Sequence, residues 1–105
     1  MIKKEYTIIN PVGLHARPAA HFVDIVSKYK AKTTIIFDDI EVNAKSIISV
    51  LSLGLGQGDT FQLVIDGPDE EELLIKIEDY LYKHICRGKG SYNDIIRQDF
   101  EGFNK

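Results

Sequence analysis

A histidine, an arginine and a proline lie close together near the start of the sequence, in the stretch Gly13-Leu14-His15-Ala16-Arg17-Pro18-Ala19. An imidazole can act as a nucleophile, and a guanidinium matches the geometry of phosphate oxygens. If His15 carried a phosphoryl group, the side chain of Arg17 could fold back to contact it. The same residues also fit an ordinary surface histidine beside a helix start, so this stretch alone leaves both interpretations open.

The residues after His15 predict an amphipathic helix that places this histidine at its N-terminal end. Apolar side chains recur three and four residues apart between Ala16 and Tyr29, at Ala19, Phe22, Val23, Val26 and Tyr29. Pro18 fits only a first turn, so the helix should begin just after His15. The backbone N–H groups of Ala16 and Arg17 would then lack partners within the helix and would form an anion site.

A serine in the middle of the chain is predicted to begin a second, short helix. Ser46 is a favoured N-cap type, four of the next five residues are apolar, and Gly54 supplies the left-handed residue that ends such a helix. A phosphate on Ser46 would gain from the helix dipole and would add negative charge to this surface. A capping serine is expected here whether or not a kinase modifies it, so the residues alone do not assign a modification site.

Four strands are predicted from the alternation of side chains. Apolar and polar residues alternate over residues 2–8 and 60–66, which indicates two strands that are each buried on one side. Two β-branched runs, residues 33–37 and 40–43, are joined at Asp38-Asp39 and predict a hairpin with a tight turn.

A third helix follows the last of these strands. Three glutamates from Glu70 onward favour its first turn, and its apolar stripe continues to Ile85, with Gly88 as the expected stop and Cys86 as a half-buried helical residue. The resulting order, βαββαβα, predicts an α+β fold of two layers. Because the same order also suits a ferredoxin-like split unit, periodicity leaves the order of the strands within the sheet open.

Length and composition exclude several classes of protein. The 105 residues suffice for one domain, and no apolar run approaches the ~20 residues that a membrane span needs. The formal charge of −3 and the lack of a basic stripe argue against nucleic acid as a partner. One cysteine and three scattered histidines do not have the spacing of a metal site. Since the first residues do not resemble a secretion signal, we expect a cytoplasmic protein.

Two stretches of the sequence together resemble the signatures of HPr, the histidine-containing phosphocarrier family of the phosphoenolpyruvate-dependent sugar phosphotransferase system. The first is the stretch around His15, and the second runs from Asn43 to Gly58 around Ser46. The resemblance covers residues 1–87 and implies the HPr-like open-faced β-sandwich, a four-stranded antiparallel sheet covered on one face by three helices. It also implies a phosphoryl carrier, not an enzyme, that works without a cofactor.

The resemblance assigns a role to each matching residue. His15 would accept a phosphoryl group from phosphorylated enzyme I and pass it to enzyme IIA domains for sugar uptake, while Arg17 would stabilise the group. Ser46 matches the serine that the HPr kinase/phosphorylase modifies, and its phosphorylated form would engage a catabolite-control transcription factor. The docking surface of the family is apolar and would correspond here to Leu14, Ile47, Ile48, Leu51, Leu53 and Leu55.

Two departures from the family pattern leave room for a second function. Asp24, Ser27 and Ser49 stand where family members often have basic residues, and residues 88–105 continue past the usual end of the family. The alternative is therefore an HPr-like regulatory paralogue that acts mainly through phospho-Ser46 bound to a transcription factor or metabolic enzyme. In residues 88–105, glycines and a serine predict a flexible link, and apolar side chains at helical spacing predict a short amphipathic segment, at Ile95, Ile96, Phe100 and Phe103.

Overall fold

A computed structural model of the chain describes residues 1–88, which form five strands and three helices. The strands are β1 (Ile2–Ile8), β2 (Lys32–Phe37), β3 (Ile40–Asn43), β4 (Thr60–Asp66) and β5 (Cys86–Gly88). The helices are α1 (Ala16–Ser27), α2 (Ile47–Ser52) and α3 (Glu70–His84).

The strands form one antiparallel sheet in the order β3-β2-β4-β1-β5. Alternate residues of the long strands are buried, among them Tyr6, Ile35 and Leu63. These side chains meet buried residues of α1 and α3 such as Phe22 and Ile77 in a single core. The predicted open-faced α+β sandwich is therefore confirmed, with all four predicted strands and three helices present, and the sheet gains the short fifth strand β5. Pairing between strands supplies the order that periodicity left open.

Local signals placed most element boundaries correctly. The turn between β2 and β3 has positive φ at both central residues, Asp38 (53°) and Asp39 (66°), which is the type I′ geometry of a tight hairpin. Helix α1 begins at Ala16, directly after His15, as Pro18 predicted. It ends at Ser27, two residues before the predicted end at Tyr29.

The end of the third helix differs from the prediction. Helix α3 stops at His84, and residues 86–88 form the short strand β5, which pairs with the outer edge of β1 opposite Tyr6, Thr7 and Ile8. The predictions that Gly88 stops the helix and that Cys86 is helical are therefore wrong. The physical reason is non-local, because the free edge of β1 offers backbone hydrogen bonds that a further helical turn would not satisfy.

Residues 89–105, which include the predicted amphipathic segment, lie outside the described residues. Among residues 1–88, no helix has the length and the apolar character needed to cross a membrane.

Candidate functional site

His15 occupies the N-cap position of α1. Its backbone is extended, with φ −83° and ψ −173°, and its carbonyl accepts a hydrogen bond from the N–H of Ala19 at 2.9 Å. Its side chain is exposed and makes no capping hydrogen bond. The imidazole is thus held at the start of a helix by its own backbone, while the ring stays accessible to a reacting group.

Two backbone N–H groups next to this ring are available to an anion. The N–H groups of the first three residues of a helix have no acceptor within the helix. In α1 the third of these residues is Pro18, which carries no N–H, so the groups of Ala16 and Arg17 remain. In the part of the chain that the structure describes, no group accepts a hydrogen bond from the nitrogen of Ala16 or Arg17. These two donors lie at the positive end of the α1 dipole and favour a phosphate there.

The side chain of Arg17 is exposed and not committed to an ion pair. Among residues 1–88, no carboxylate oxygen lies within 4.0 Å of its guanidinium, whereas Lys28 of the same helix pairs with Asp24 at 3.4 Å. The first turn of α1 also contains no acidic residue that would repel an anion. The guanidinium can therefore close onto a phosphate on His15 without breaking another charge pair.

The loop before His15 is held by one asparagine. The side-chain oxygen of Asn10 accepts the N–H of Val12 at 3.2 Å, and its amide nitrogen donates to the carbonyl of Gly13 at 3.3 Å. The backbone N–H of Gly13 in turn donates to the Asn10 carbonyl at 2.9 Å. These bonds form a closed turn that fixes the direction in which the chain enters α1.

Gly13 brings this loop against the segment that follows α2. Its φ is +72°, and a Cβ atom at this position would lie 2.6 Å from the Leu55 carbonyl oxygen and 2.8 Å from Gly56 Cα. The next residue, Leu14, donates its N–H to the same Leu55 carbonyl at 3.0 Å. Only glycine allows both the backbone conformation and this close approach.

Ser46 is the N-cap of α2, as predicted. Its hydroxyl oxygen accepts a hydrogen bond from the N–H of Ser49 at 3.3 Å, and its carbonyl accepts one from Val50 at 3.0 Å. Its side chain is half-buried, and Gly54, with φ +62°, lies just past the end of the helix. The hydroxyl therefore has a structural role as a cap, which is compatible with a further role as an acceptor of phosphate.

The residues predicted to form a docking surface divide into two groups. Ile47, Ile48 and Leu51 are exposed on α2, with Ile48 the most exposed at 78%. Leu14 and Leu55 are only 7% and 4% exposed, so the structure assigns their side chains to the core and not to a surface. The loops that contain them contact each other, since the Leu14 N–H donates to the Leu55 carbonyl at 3.0 Å, and Leu53 is partly buried against the same core.

Sequence reasoning missed two exposed apolar residues that precede His15. Ile9 and Val12 are 49% and 66% exposed, in the loop that enters α1. The sequence contains only a weak indication of their exposure, because Ile9 breaks the alternation at the end of β1 and Val12 lies within a turn. Like the exposed residues of α2, they add apolar surface that a partner could contact.

The other two histidines are exposed, but both contact the same tyrosine. The rings of His21 on α1 and Tyr80 on α3 are stacked, with centroids 4.5 Å apart and 8° between their planes. His84 lies 5.2 Å from Tyr80, at 43°. Both rings are therefore packed against Tyr80 of α3 on one side as well as exposed to solvent. Within residues 1–88, no cluster of three or more His, Cys, Asp or Glu side chains is arranged to hold a metal ion.

An accessible histidine beside free N–H groups and an uncommitted arginine at one helix start is the arrangement expected of a small protein that carries phosphoryl groups. Comparison with known proteins agrees with this class. A family model described as the PTS HPr component phosphorylation site matches residues 2–83. The chain belongs to the HPr family of phosphocarrier proteins.

Individual relatives support the same assignment. The phosphocarrier protein HPr of Treponema pallidum is 42% identical over 78 residues, which cover 74% of this chain and 89% of that protein. A crystal structure of HPr from Thermoanaerobacter tengcongensis superposes with a TM-score of 0.72 at 43% identity, covering 75% of this chain and 89% of the other. The catabolite repression protein Crh of Bacillus subtilis is also similar, with a TM-score of 0.62, 35% identity, and coverage of 73% and 88%.

Proposed function

We propose that the protein accepts a phosphoryl group on His15 from phosphorylated enzyme I and passes it to enzyme IIA domains during sugar uptake. The observation that carries this proposal is the exposed side chain of His15, which makes no capping hydrogen bond and leaves two backbone N–H groups at the helix start free. We further propose that the protein works in the cytoplasm, where these partners would meet it, and that residues 1–87 contain the complete carrier domain.

The chemistry needs little beyond positioning and charge stabilisation. A ring nitrogen of His15 attacks the phosphorus in line, a nitrogen–phosphorus bond forms, and the bond between phosphorus and the donor breaks. Negative charge spread over the phosphoryl oxygens is met by the N–H groups of Ala16 and Arg17 and by the Arg17 guanidinium. The reverse sequence discharges the group to the next acceptor, so the same residues serve both transfers.

Docking of both partners is proposed to use the exposed apolar residues of α2 and of the loop before α1. On α2 these are Ile47, Ile48 and Leu51, and the loop before α1 adds Ile9 and Val12. Enclosure of this surface by a partner would exclude water from the transfer and strengthen the electrostatic interactions there. Leu14 and Leu55 belong to the buried core and are not part of this exposed surface.

Ser46 is proposed as a regulatory site for the HPr kinase/phosphorylase. A phosphate here would lie at the N-terminus of α2, immediately before the exposed Ile47 and Ile48. Removal of its two negative charges from water in an apolar interface would be unfavourable, so the phosphate would hinder docking. The helix dipole would stabilise the same charges, so the domain would stay folded. A catabolite-control transcription factor would be the partner of the phosphorylated form.

The carrier function is tested by incubation with phosphoenolpyruvate and enzyme I, followed by intact-mass analysis before and after acid treatment. We expect one acid-labile phosphoryl group on the wild type and none on His15→Ala. His84→Ala, which removes another exposed histidine, is the matched control and should still take up one group. Equal labelling of His15→Ala, or no label on the wild type, contradicts the proposal.

A second candidate function is that of a regulatory paralogue acting through phospho-Ser46. The similarity to Crh, whose name refers to catabolite repression, favours it. The two functions differ in which substitution abolishes activity. If the carrier function dominates, His15→Ala should eliminate sugar phosphorylation in a reconstituted system. If the regulatory function dominates, Ser46→Ala should eliminate binding to the transcription factor, and His15→Ala should leave that binding intact.

A further inference from the structure

The first turn of α1 lacks the usual local stabilisation of a helix start. His15 makes no side-chain capping bond, and no acidic side chain complements the dipole in this turn. Such a turn frays readily, because its N–H groups are bonded neither within the helix nor by a cap. The phosphate site nevertheless depends on this turn, which carries both free N–H groups and Arg17. Contacts outside α1 must therefore hold it, and the burial of Pro18 and Ala19 in the core supplies part of them.

Tyr80 of α3 contacts this part of α1 at two points. Its hydroxyl donates a hydrogen bond to the Pro18 carbonyl at 3.4 Å, and its ring stacks on His21 at 4.5 Å. The His84 ring, one turn later on α3, lies 5.2 Å from the Tyr80 ring, at 43° to it. Burial raises the pKa of Tyr80, so the hydroxyl remains a proton donor under ordinary conditions.

We propose that Tyr80 is a positioning residue for the phosphate site, since it holds the first turn of α1 through the Pro18 carbonyl and the His21 ring. This inference rests on the proposed function, because only a phosphoryl carrier requires that turn to be rigid. Tyr80 acts through α1 and does not touch the reacting atoms.

The geometry explains how the contact reaches His15. Pro18 lies three residues after His15, and the next residue, Ala19, donates the first hydrogen bond of the helix to the His15 carbonyl at 2.9 Å. Opening of the first turn breaks that bond, and an opening that includes Pro18 also breaks the hydrogen bond between its carbonyl and Tyr80. A stacked ring at the following turn limits the same motion, since His21 faces α3.

The test compares Tyr80→Leu, Tyr80→Phe and Tyr82→Phe. Tyr80→Leu removes both contacts, and Tyr80→Phe removes only the hydroxyl and keeps the stack. Tyr82→Phe is the matched control, because it removes a hydroxyl from the same helix, one that donates to Glu78 at 3.2 Å. The first readout is hydrogen exchange of the Ala19 amide relative to amides of the central strand β4, which reports opening of the first turn apart from global unfolding.

We expect the Ala19 amide to exchange about fivefold faster in Tyr80→Leu, because this variant loses the hydrogen bond and the stacked ring. The increase should be smaller in Tyr80→Phe, which loses only the hydrogen bond. The ratio should be unchanged in Tyr82→Phe. The second readout is the rate of phosphoryl transfer from enzyme I. Tyr80→Leu should lower the maximal rate severalfold while leaving the half-saturating concentration unchanged, because the docking residues are untouched.

The inference would be overturned if the Ala19 amide exchanged at the same relative rate in Tyr80→Leu as in Tyr82→Phe. It would also be overturned if Tyr80→Leu changed only the half-saturating concentration and left the maximal transfer rate unchanged. If Tyr80→Leu does not fold, the comparison of Tyr80→Phe with Tyr82→Phe decides by the same criterion. Failure of the wild type to accept a phosphoryl group would contradict the proposed function, whereas the exchange ratio would still show whether Tyr80 holds the turn.

Discussion

Replacement of Gly13 by alanine should damage the phosphate site more than replacement of any other glycine with a similar backbone. A Cβ atom at Gly13 would meet the Leu55 carbonyl oxygen at 2.6 Å and Gly56 Cα at 2.8 Å. Gly54 is the matched control, because its φ of +62° is close to the +72° of Gly13, but a Cβ atom there would meet nothing within 4 Å. The two variants therefore share the conformational cost and differ in the steric one.

The expected magnitudes follow from these two terms. The left-handed conformation costs an alanine about 1–2 kcal/mol, which applies to both variants. Forced displacement of packed backbone adds about 1–3 kcal/mol to Gly13→Ala alone. For a domain of this size, each kcal/mol lowers the melting temperature by about 4–8 °C, so the two variants should be clearly separable.

Urea unfolding of both variants measures the difference in stability, and transfer from enzyme I measures the effect on the site. Gly13→Ala should be less stable than Gly54→Ala and should accept phosphate more slowly under conditions where it is fully folded, because the loop that leads into His15 is displaced. Equal unfolding free energies for the two variants would refute the close approach of Gly13 to Leu55 as the reason for glycine at this position.

Three further predictions concern other elements of the fold. Ser46→Ala should lose about 1 kcal/mol of stability in urea unfolding, while Ser46→Asp should keep the cap but slow phosphorylation of His15; equal transfer rates in both variants would argue against an effect of charge at this site. Hydrogen bonds from the backbone of Lys30 and Ala31 hold the pKa of Asp69 below its ordinary 3.8. The ionised carboxylate therefore stabilises the fold at neutral pH, and this contribution is lost as the pH falls through the lowered pKa of the native state. Asp69→Asn should accordingly be less stable at neutral pH, and the difference should narrow in unfolding measurements at about pH 3. Burial raises the pKa of the Cys86 thiol to about 12, so a thiol reagent should label it only as fast as the protein opens, and rapid labelling of the native protein would contradict its burial.

Elements with strong local signals were predictable from the sequence. The hairpin turn needs two residues that tolerate positive φ, and Asp38-Asp39 supplies them. Strand β4 alternates without interruption from Thr60 to Asp66, and its predicted bounds are confirmed. In each case the residues that determine the conformation are neighbours in the chain.

Strand β5 and the docking surface were less predictable, because their environment comes from distant residues. Three residues at the end of a helical stripe carry no periodicity, and β5 exists only because the edge of β1 is open to pairing. Leu14 and Leu55 look like candidates for an apolar surface in the sequence, yet both side chains are buried in the fold, where their loops contact each other. Hydrophobicity alone does not distinguish a docking residue from a core residue.

The sequence by itself determined that His15 lies at a helix start with two free N–H groups, because Pro18 and the apolar stripe of α1 act over a single turn. Only the tertiary structure decided what holds that turn in place. Gly13 meets Leu55, and Pro18 meets Tyr80 62 residues further along the chain. Contacts of this kind depend on how the loops and helices pack over the sheet, and no local pattern of residues encodes that packing.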